Sequence, residues 1–147
     1  HEACENVKGA VLWYAASVVN NPGNYAKVLE TAYWRYPALQ PEMLFLDDKA
    51  PKKPRSLKAK WTEEGYILKW KAPKAKVWQD EANKYVVYRF AKGEDIDLED
   101  PSKIVAITYD TTLKLKYDGG SERFTYVVTA LDRVGNESVG KKKKVRL

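Results

Sequence analysis

Residues 124–138, Phe-Thr-Tyr-Val-Val-Thr-Ala-Leu-Asp-Arg-Val-Gly-Asn-Glu-Ser, constrain the fold of this chain more than any other stretch. Phe124, Tyr126, Val128 and Ala130 fall on one face at a period of two, and Thr125, Val127, Thr129 and Leu131 on the other. That period is a β-strand, because successive side chains of an extended backbone point to opposite faces. Gly135-Asn136 then supplies two residues that tolerate positive φ, which marks a turn.

The same pattern repeats upstream. Leu57, Ala59 and Trp61 alternate with Lys58 and Lys60, and Tyr66, Leu68 and Trp70 with Ile67, Lys69 and Lys71. Residues 85–90 are a dense aromatic and β-branched run, and residues 104–108 and 113–117 are shorter strands. With 123–132 and a last strand over 139–146, seven short strands separated by turn signals predict a β-sandwich. The chain is 44% hydrophobic and 12% aromatic, enough for a packed core and too much for a disordered segment.

Residues 1–48 read differently. The run Ala10-Val-Leu-Trp-Tyr-Ala-Ala16 is apolar without alternation, as in a strand buried on both faces. Asn20-Asn-Pro-Gly23 is a loop. Tyr25, Val28, Leu29, Ala32 and Tyr36 share one helical stripe, with Asn24 as N-cap and Pro37 as the stop. A helix end is expected near residues 3–8. One β/α unit cannot bury both of its faces, so it needs neighbours that these 147 residues do not supply. Residues 47–54, with two prolines and five charges, read as a linker that offers little to bury. The expected division is 1–48 and 49–147. Charge changes across it: three basic against six acidic residues before, a net of −3, and 23 against 14 after, a net of +9.

The residues after the linker resemble a bacterial fibronectin type III domain. Leu68-Lys-Trp70-Lys-Ala-Pro73 matches its second strand, Tyr85-Val-Val-Tyr-Arg89 its third, and Tyr126 its core tyrosine. Trp78, in the long segment 74–84, is expected to cap one end of the sandwich. Before the linker, Ala10-Val-Leu-Trp-Tyr, Asn20-Asn-Pro-Gly-Asn-Tyr25, Tyr33-Trp-Arg-Tyr-Pro-Ala-Leu39 and Pro41 resemble the barrel end of the glycosyl-hydrolase-like 10 family. The resemblance implies a mainly β chain: a seven-stranded fibronectin type III-like (immunoglobulin-like) sandwich after the last β/α unit of a (β/α)8 barrel. It also implies an extracytoplasmic protein, in periplasm or at the cell surface, whose missing barrel portion is this chain's partner. The module itself would be a non-catalytic scaffold or spacer.

Candidate site residues follow from that frame. A glycosidase needs two carboxylates, about 5 Å apart for retention and about 6.5–9.5 Å for inversion. The segment ending Trp-Tyr-Ala-Ala-Ser carries none, so no catalytic residue is expected here, and the parent's pair would lie upstream of His1. At the end of a last barrel strand, Trp13 and Tyr14 would face the cleft and stack on sugar. Exposed aromatics such as Trp61 or Trp78 would instead make the sandwich a carbohydrate-binding module, and a solvent-exposed, coplanar pair of them would favour it. A basic face would make it a protein-interaction or adhesion module. Lys141–Lys144 could suggest nucleic acid, but lysines on an edge strand block edge-to-edge pairing, and no nucleic-acid partner is expected. Glu94, Asp95, Asp97, Glu99 and Asp100 could hold Ca²⁺ or form a polar loop. His1 is the one histidine and Cys4 the one thiol, so neither a disulfide nor a metal cluster is expected, and no cofactor is implied. The apolar run 10–19 is too short to span a bilayer. Left without barrel neighbours, residues 1–48 are expected to self-associate or dock.

Overall fold

A computed structural model describes residues 15–63, 65–117 and 119–147. Contacts divide the chain into two units, His1–Pro41 and Glu42–Leu147.

In the first unit the described residues form short helical pieces joined by irregular segments and contain no strand. Ala15 lies in a turn, and Ala16–Val19 forms helix α1; the rest of the expected strand lies outside the described residues. Asn21, Gly23 and Asn24 all have positive φ, of 44°, 61° and 62°. The expected helix over 25–36 is shorter and less regular. Helix α2 spans Tyr25–Val28 and widens into a π-helical turn at Leu29–Tyr33, closed by Trp34 N–H to the Leu29 carbonyl at 2.7 Å. The Thr31 hydroxyl donates to the Lys27 carbonyl at 2.7 Å and competes with the helix ladder there. Asn24 occupies the N-cap position, but its side chain makes no cap hydrogen bond. Asn21 does that work instead, its Oδ1 accepting from Ala26 N–H at 2.7 Å. No residue of α2 or the π turn is buried.

The second unit is the sandwich, fibronectin type III-like in topology. Its strands are β1 (Arg55–Thr62), β2 (Gly65–Lys71), β3 (Lys84–Ala91), β4 (Ile104–Thr108), β5 (Thr112–Leu115), β6 (Arg123–Leu131) and β7 (Lys141–Arg146). They form a three-stranded sheet, β1-β2-β5, and a four-stranded sheet, β4-β3-β6-β7, all antiparallel. Leu57, Leu68, Trp70, Tyr85, Val87, Leu115, Tyr126, Val128, Ala130 and Val145 fill the space between them. These are the inward positions of the alternating runs. Trp70 meets Tyr85 edge to face at 5.6 Å.

Two features depart from simple alternation. The outer faces of β3 and β6 are buried as well: Val86, Tyr88, Phe90, Val127 and Thr129 have no exposed surface. Part of the cover is the segment after the last turn. Gly140 lies so close to Val127 that a Cβ at position 140 would clash with its Cγ1. The segment read as a linker is also docked rather than free. Pro51 and Pro54 are buried, and Met43 N–H donates to the Val134 carbonyl at 3.0 Å. The prolines suit this role because they bury a ring without leaving an amide donor unpaired.

Strand direction decides which loops meet. The antiparallel register puts the β1–β2 turn, the segments after β3 and β5, and the start of β6 at one end of the sandwich. The lead-in, the β2–β3 segment and the β6–β7 turn lie at the other.

Candidate functional site

Trp13 and Tyr14 lie outside the described residues. The other sequence candidates are placed. Trp78 stands at the lead-in end, 64% exposed, with the Arg133 guanidinium 5.1 Å above its ring. It lies on the rim and does not cap the core. Lys141–Lys144 are on β7, which is an edge of the four-stranded sheet as expected.

The acidic loop after β3 uses its carboxylates locally. Glu94 pairs with Lys103 and accepts from Ala91 N–H at 2.7 Å; the Lys103 hydrogen bond holds its carboxyl below the usual range. Asp97 accepts from Glu99 N–H and Asp100 from Ser102 N–H, each at 2.9 Å. Among the described residues no group of three or more acidic, histidine or cysteine side chains is placed to hold a metal. No helix among them is long and apolar enough to cross a membrane.

The buried polar groups at the β6–β7 turn are architectural. Asp132 accepts from Val134 N–H at 2.8 Å, Asn136 N–H at 2.9 Å and Asn136 Nδ2 at 2.8 Å. Asn136 Nδ2 also donates to the Asp47 carbonyl at 2.9 Å, which ties the lead-in to the turn. Gly135 takes the positive φ, 92°, and Asn136 does not. Glu137 accepts from the hydroxyls of Tyr88 and Thr129. Burial raises both the Glu137 carboxyl and the Tyr88 phenol above their ordinary ranges. The Glu99 and Glu42 carboxylates push the Glu137 carboxyl up further, while its own oxygen is taken by the two hydroxyls.

At this same end a cleft of about 650 Å³ is lined by Lys52, Lys53, Arg55, Lys74 and Glu137. The exposed aromatic corner is at the opposite end. There Trp61, 60% exposed, sits edge-on to Tyr66 and Tyr117, at 5.4 and 5.0 Å and interplanar angles of 78° and 71°. The three rings form a corner and no coplanar pair. Beside them is a cleft of about 340 Å³ lined by Lys92, Gly93, Arg123, Phe124, Thr125, Lys144, Val145 and Arg146. Four of these residues are cationic and none is acidic. Register explains the clustering. Arg123 pairs with Arg146 across β6 and β7, and Thr125 with Lys144, so all four share one sheet face. Arg146 Nε donates to the Gly120 carbonyl at 2.5 Å. A Cβ on Gly120 would lie 3.6 Å from the Tyr117 hydroxyl and 3.8 Å from Arg146 Nε, so cleft and aromatic corner adjoin through this glycine. Each lining residue was visible in the sequence, but only strand pairing brings Lys92, Arg123 and Arg146 together.

No family model matches the chain. Over 142 residues it is 30% identical to the glycosyl hydrolase YngK of Bacillus subtilis (strain 168), an alignment covering 97% of this chain and 28% of that protein. The chain thus spans little more than a quarter of the curated relative it matches. Similar solved structures include domains from titin, with a TM-score of 0.48 and 17% identity over 67% of this chain and 32% of that one. The Clostridium perfringens spore cortex lytic enzyme SleM gives 0.45 and 15% over 66% and 28%.

Proposed function

We propose that this chain is a non-catalytic scaffold and spacer module of an exported glycoside-hydrolase-like protein. The observation that carries the reading is that nearly the whole chain aligns with just 28% of a glycosyl hydrolase. A hydrolytic site would then be built from other parts of the longer protein. The buried Asp132 and half-buried Glu137 support it, since both are taken up in turn and sheet contacts. In this reading the parent is of the glycosyl-hydrolase-like 10 type. Residues 1–48 complete its barrel, Trp13 and Tyr14 stack on sugar there, and the sandwich buttresses the barrel end. Such a role needs rigidity rather than chemistry, and a doubly covered β3–β6 pair provides it.

The test is direct. This chain alone should hydrolyse no aryl glycoside above the buffer rate, because it lacks a placed carboxylate pair. Turnover abolished by a point substitution within the chain would overturn the reading. Trp61 forms no coplanar pair with its neighbours, but its exposure leaves room for a second role beside the first, contact with carbohydrate.

A further inference from the structure

We propose that the cleft between β3, β6 and β7 binds the acid group of an anionic oligosaccharide, whose next sugar lies against Trp61. The choice of a polysaccharide over other polyanions rests on the accessory-module reading above; the preference for an anion stands on geometry alone.

Arg123 and Arg146 are directly opposed across an antiparallel pair, with Lys144 the next outward residue along β7. Like charges directly opposite one another destabilise a sheet. The ion pairs Lys27–Glu30 and Lys103–Glu94 take up no cation of the cleft. Protecting a sheet edge accounts for Lys144 on β7. It does not account for Arg123, because β6 is an interior strand and Arg123 itself is paired with Arg146 of β7. A carboxylate between the two guanidinium groups relieves their repulsion and matches the fork geometry of arginine. The Thr125 hydroxyl lies in the same cleft as a further donor or acceptor for a sugar hydroxyl. The volume, about 340 Å³, suits one sugar unit rather than a chain.

Arg146 and Tyr117 flank Gly120, and Tyr117 supports the exposed Trp61. An oligosaccharide seated in the cleft therefore passes this aromatic corner. An indole offers its apolar face to sugar C–H groups while the acid is held by charge. Gly120 has a φ of 75°, which keeps the passage free of a side chain.

The experiment is calorimetric titration of the full 147-residue chain with trigalacturonic acid, with cellotriose and inorganic phosphate as separate arms. Trigalacturonate should bind, and more weakly as salt rises. Cellotriose and phosphate should each bind at least about tenfold more weakly, since each lacks one half of the contact. Arg123→Gln with Lys144→Gln should weaken trigalacturonate about tenfold or more. Arg123→Lys should retain most of the affinity, and Trp61→Ala should lose roughly three- to tenfold. Lys58→Gln with Lys60→Gln removes the same charge from the other sheet and should change nothing. No binding at low salt overturns the proposal. So does phosphate binding as tightly as trigalacturonate, an equal loss in the Lys58/Lys60 variant, or an unaffected Trp61→Ala. Hydrolysis of an aryl glycoside by this chain would overturn the module reading and leave the cleft standing. Failure to bind would do the reverse.

Discussion

Glu137 is held by two hydroxyl donors, Tyr88 at 2.8 Å and Thr129 at 2.5 Å, on a sheet face that water does not reach freely. Burial outweighs those hydrogen bonds and leaves its carboxyl raised. A carboxyl that holds its proton more tightly folded than unfolded favours the folded state while protonated there. Stability from this group is therefore present at low pH and lost as pH rises from the ordinary glutamate range through the raised folded value. Glu137→Gln should remove that falling segment from a urea-midpoint-against-pH profile and raise the midpoint at neutral pH. An unchanged profile would show that Glu137 does not set it. Trp70 presents a second residue-scale case. It is 1% exposed, yet Nε1 has no hydrogen-bond partner among the described residues. Trp70→Ala should cost ~3–5 kcal/mol through lost burial and a cavity. Trp70→Phe should cost much less, about 1–2 kcal/mol, because it also removes an unsatisfied donor worth ~1–3 kcal/mol. Equal losses in both variants, measured by urea unfolding, would indicate a hydrogen bond to that nitrogen.

Strands and their registers decide the next level. The outer face of β1-β2-β5 carries Lys58 opposite Lys69, Arg55 opposite Lys71, and Lys60 and Lys114 either side of Ile67. Alternation marks those lysines as a solvated face, and their exposure agrees. Register adds that they oppose one another, which alternation cannot show. Lys69→Glu should convert the Lys58–Lys69 repulsion into an attraction and stabilise the sandwich by about 0.2–1 kcal/mol, read from the denaturation midpoint at low salt. The gain should shrink in high salt. All seven strands had a signal in the sequence, a period of two in β1, β2 and β6 and a dense aromatic and β-branched run in β3. Helix α2 did not behave as its apolar stripe predicts. Residues 25–36 have the right spacing, but Thr31 bonds back to Lys27 and the ladder widens to a π turn. Spacing reports which side a residue faces, not whether a partner surface is there to hold the helix regular.

At the scale of the whole molecule, charge is sorted by element. Among the described residues no strand contains Asp or Glu, whereas every strand but β4 carries Lys or Arg. The sandwich unit begins at Glu42, before the proline-rich lead-in. Met43 bonds Val134, and the Asp47 carbonyl accepts from the buried Asn136. A chain of residues 42–147 should therefore unfold at higher urea than one of residues 50–147. Removing the Asp47 carbonyl leaves Asn136 Nδ2 short of a partner, a cost of about 1–3 kcal/mol. Identical midpoints would show the lead-in to be passive.

The sequence by itself determined the strands, their inward faces, the core around Leu68, Trp70, Tyr85, Tyr126 and Val128, and the turn at Gly135. Those follow from a side-chain period that only an extended backbone produces. Tertiary structure alone decided three things. It made the lead-in part of the sandwich, through Asn136. It covered the outer faces of β3 and β6, placing Glu137 against Tyr88 and Thr129. It also drew Lys92, Arg123, Lys144 and Arg146 around one cleft. Each of these depends on residues tens of positions apart in the chain, and a periodic pattern holds no information about which strands become neighbours.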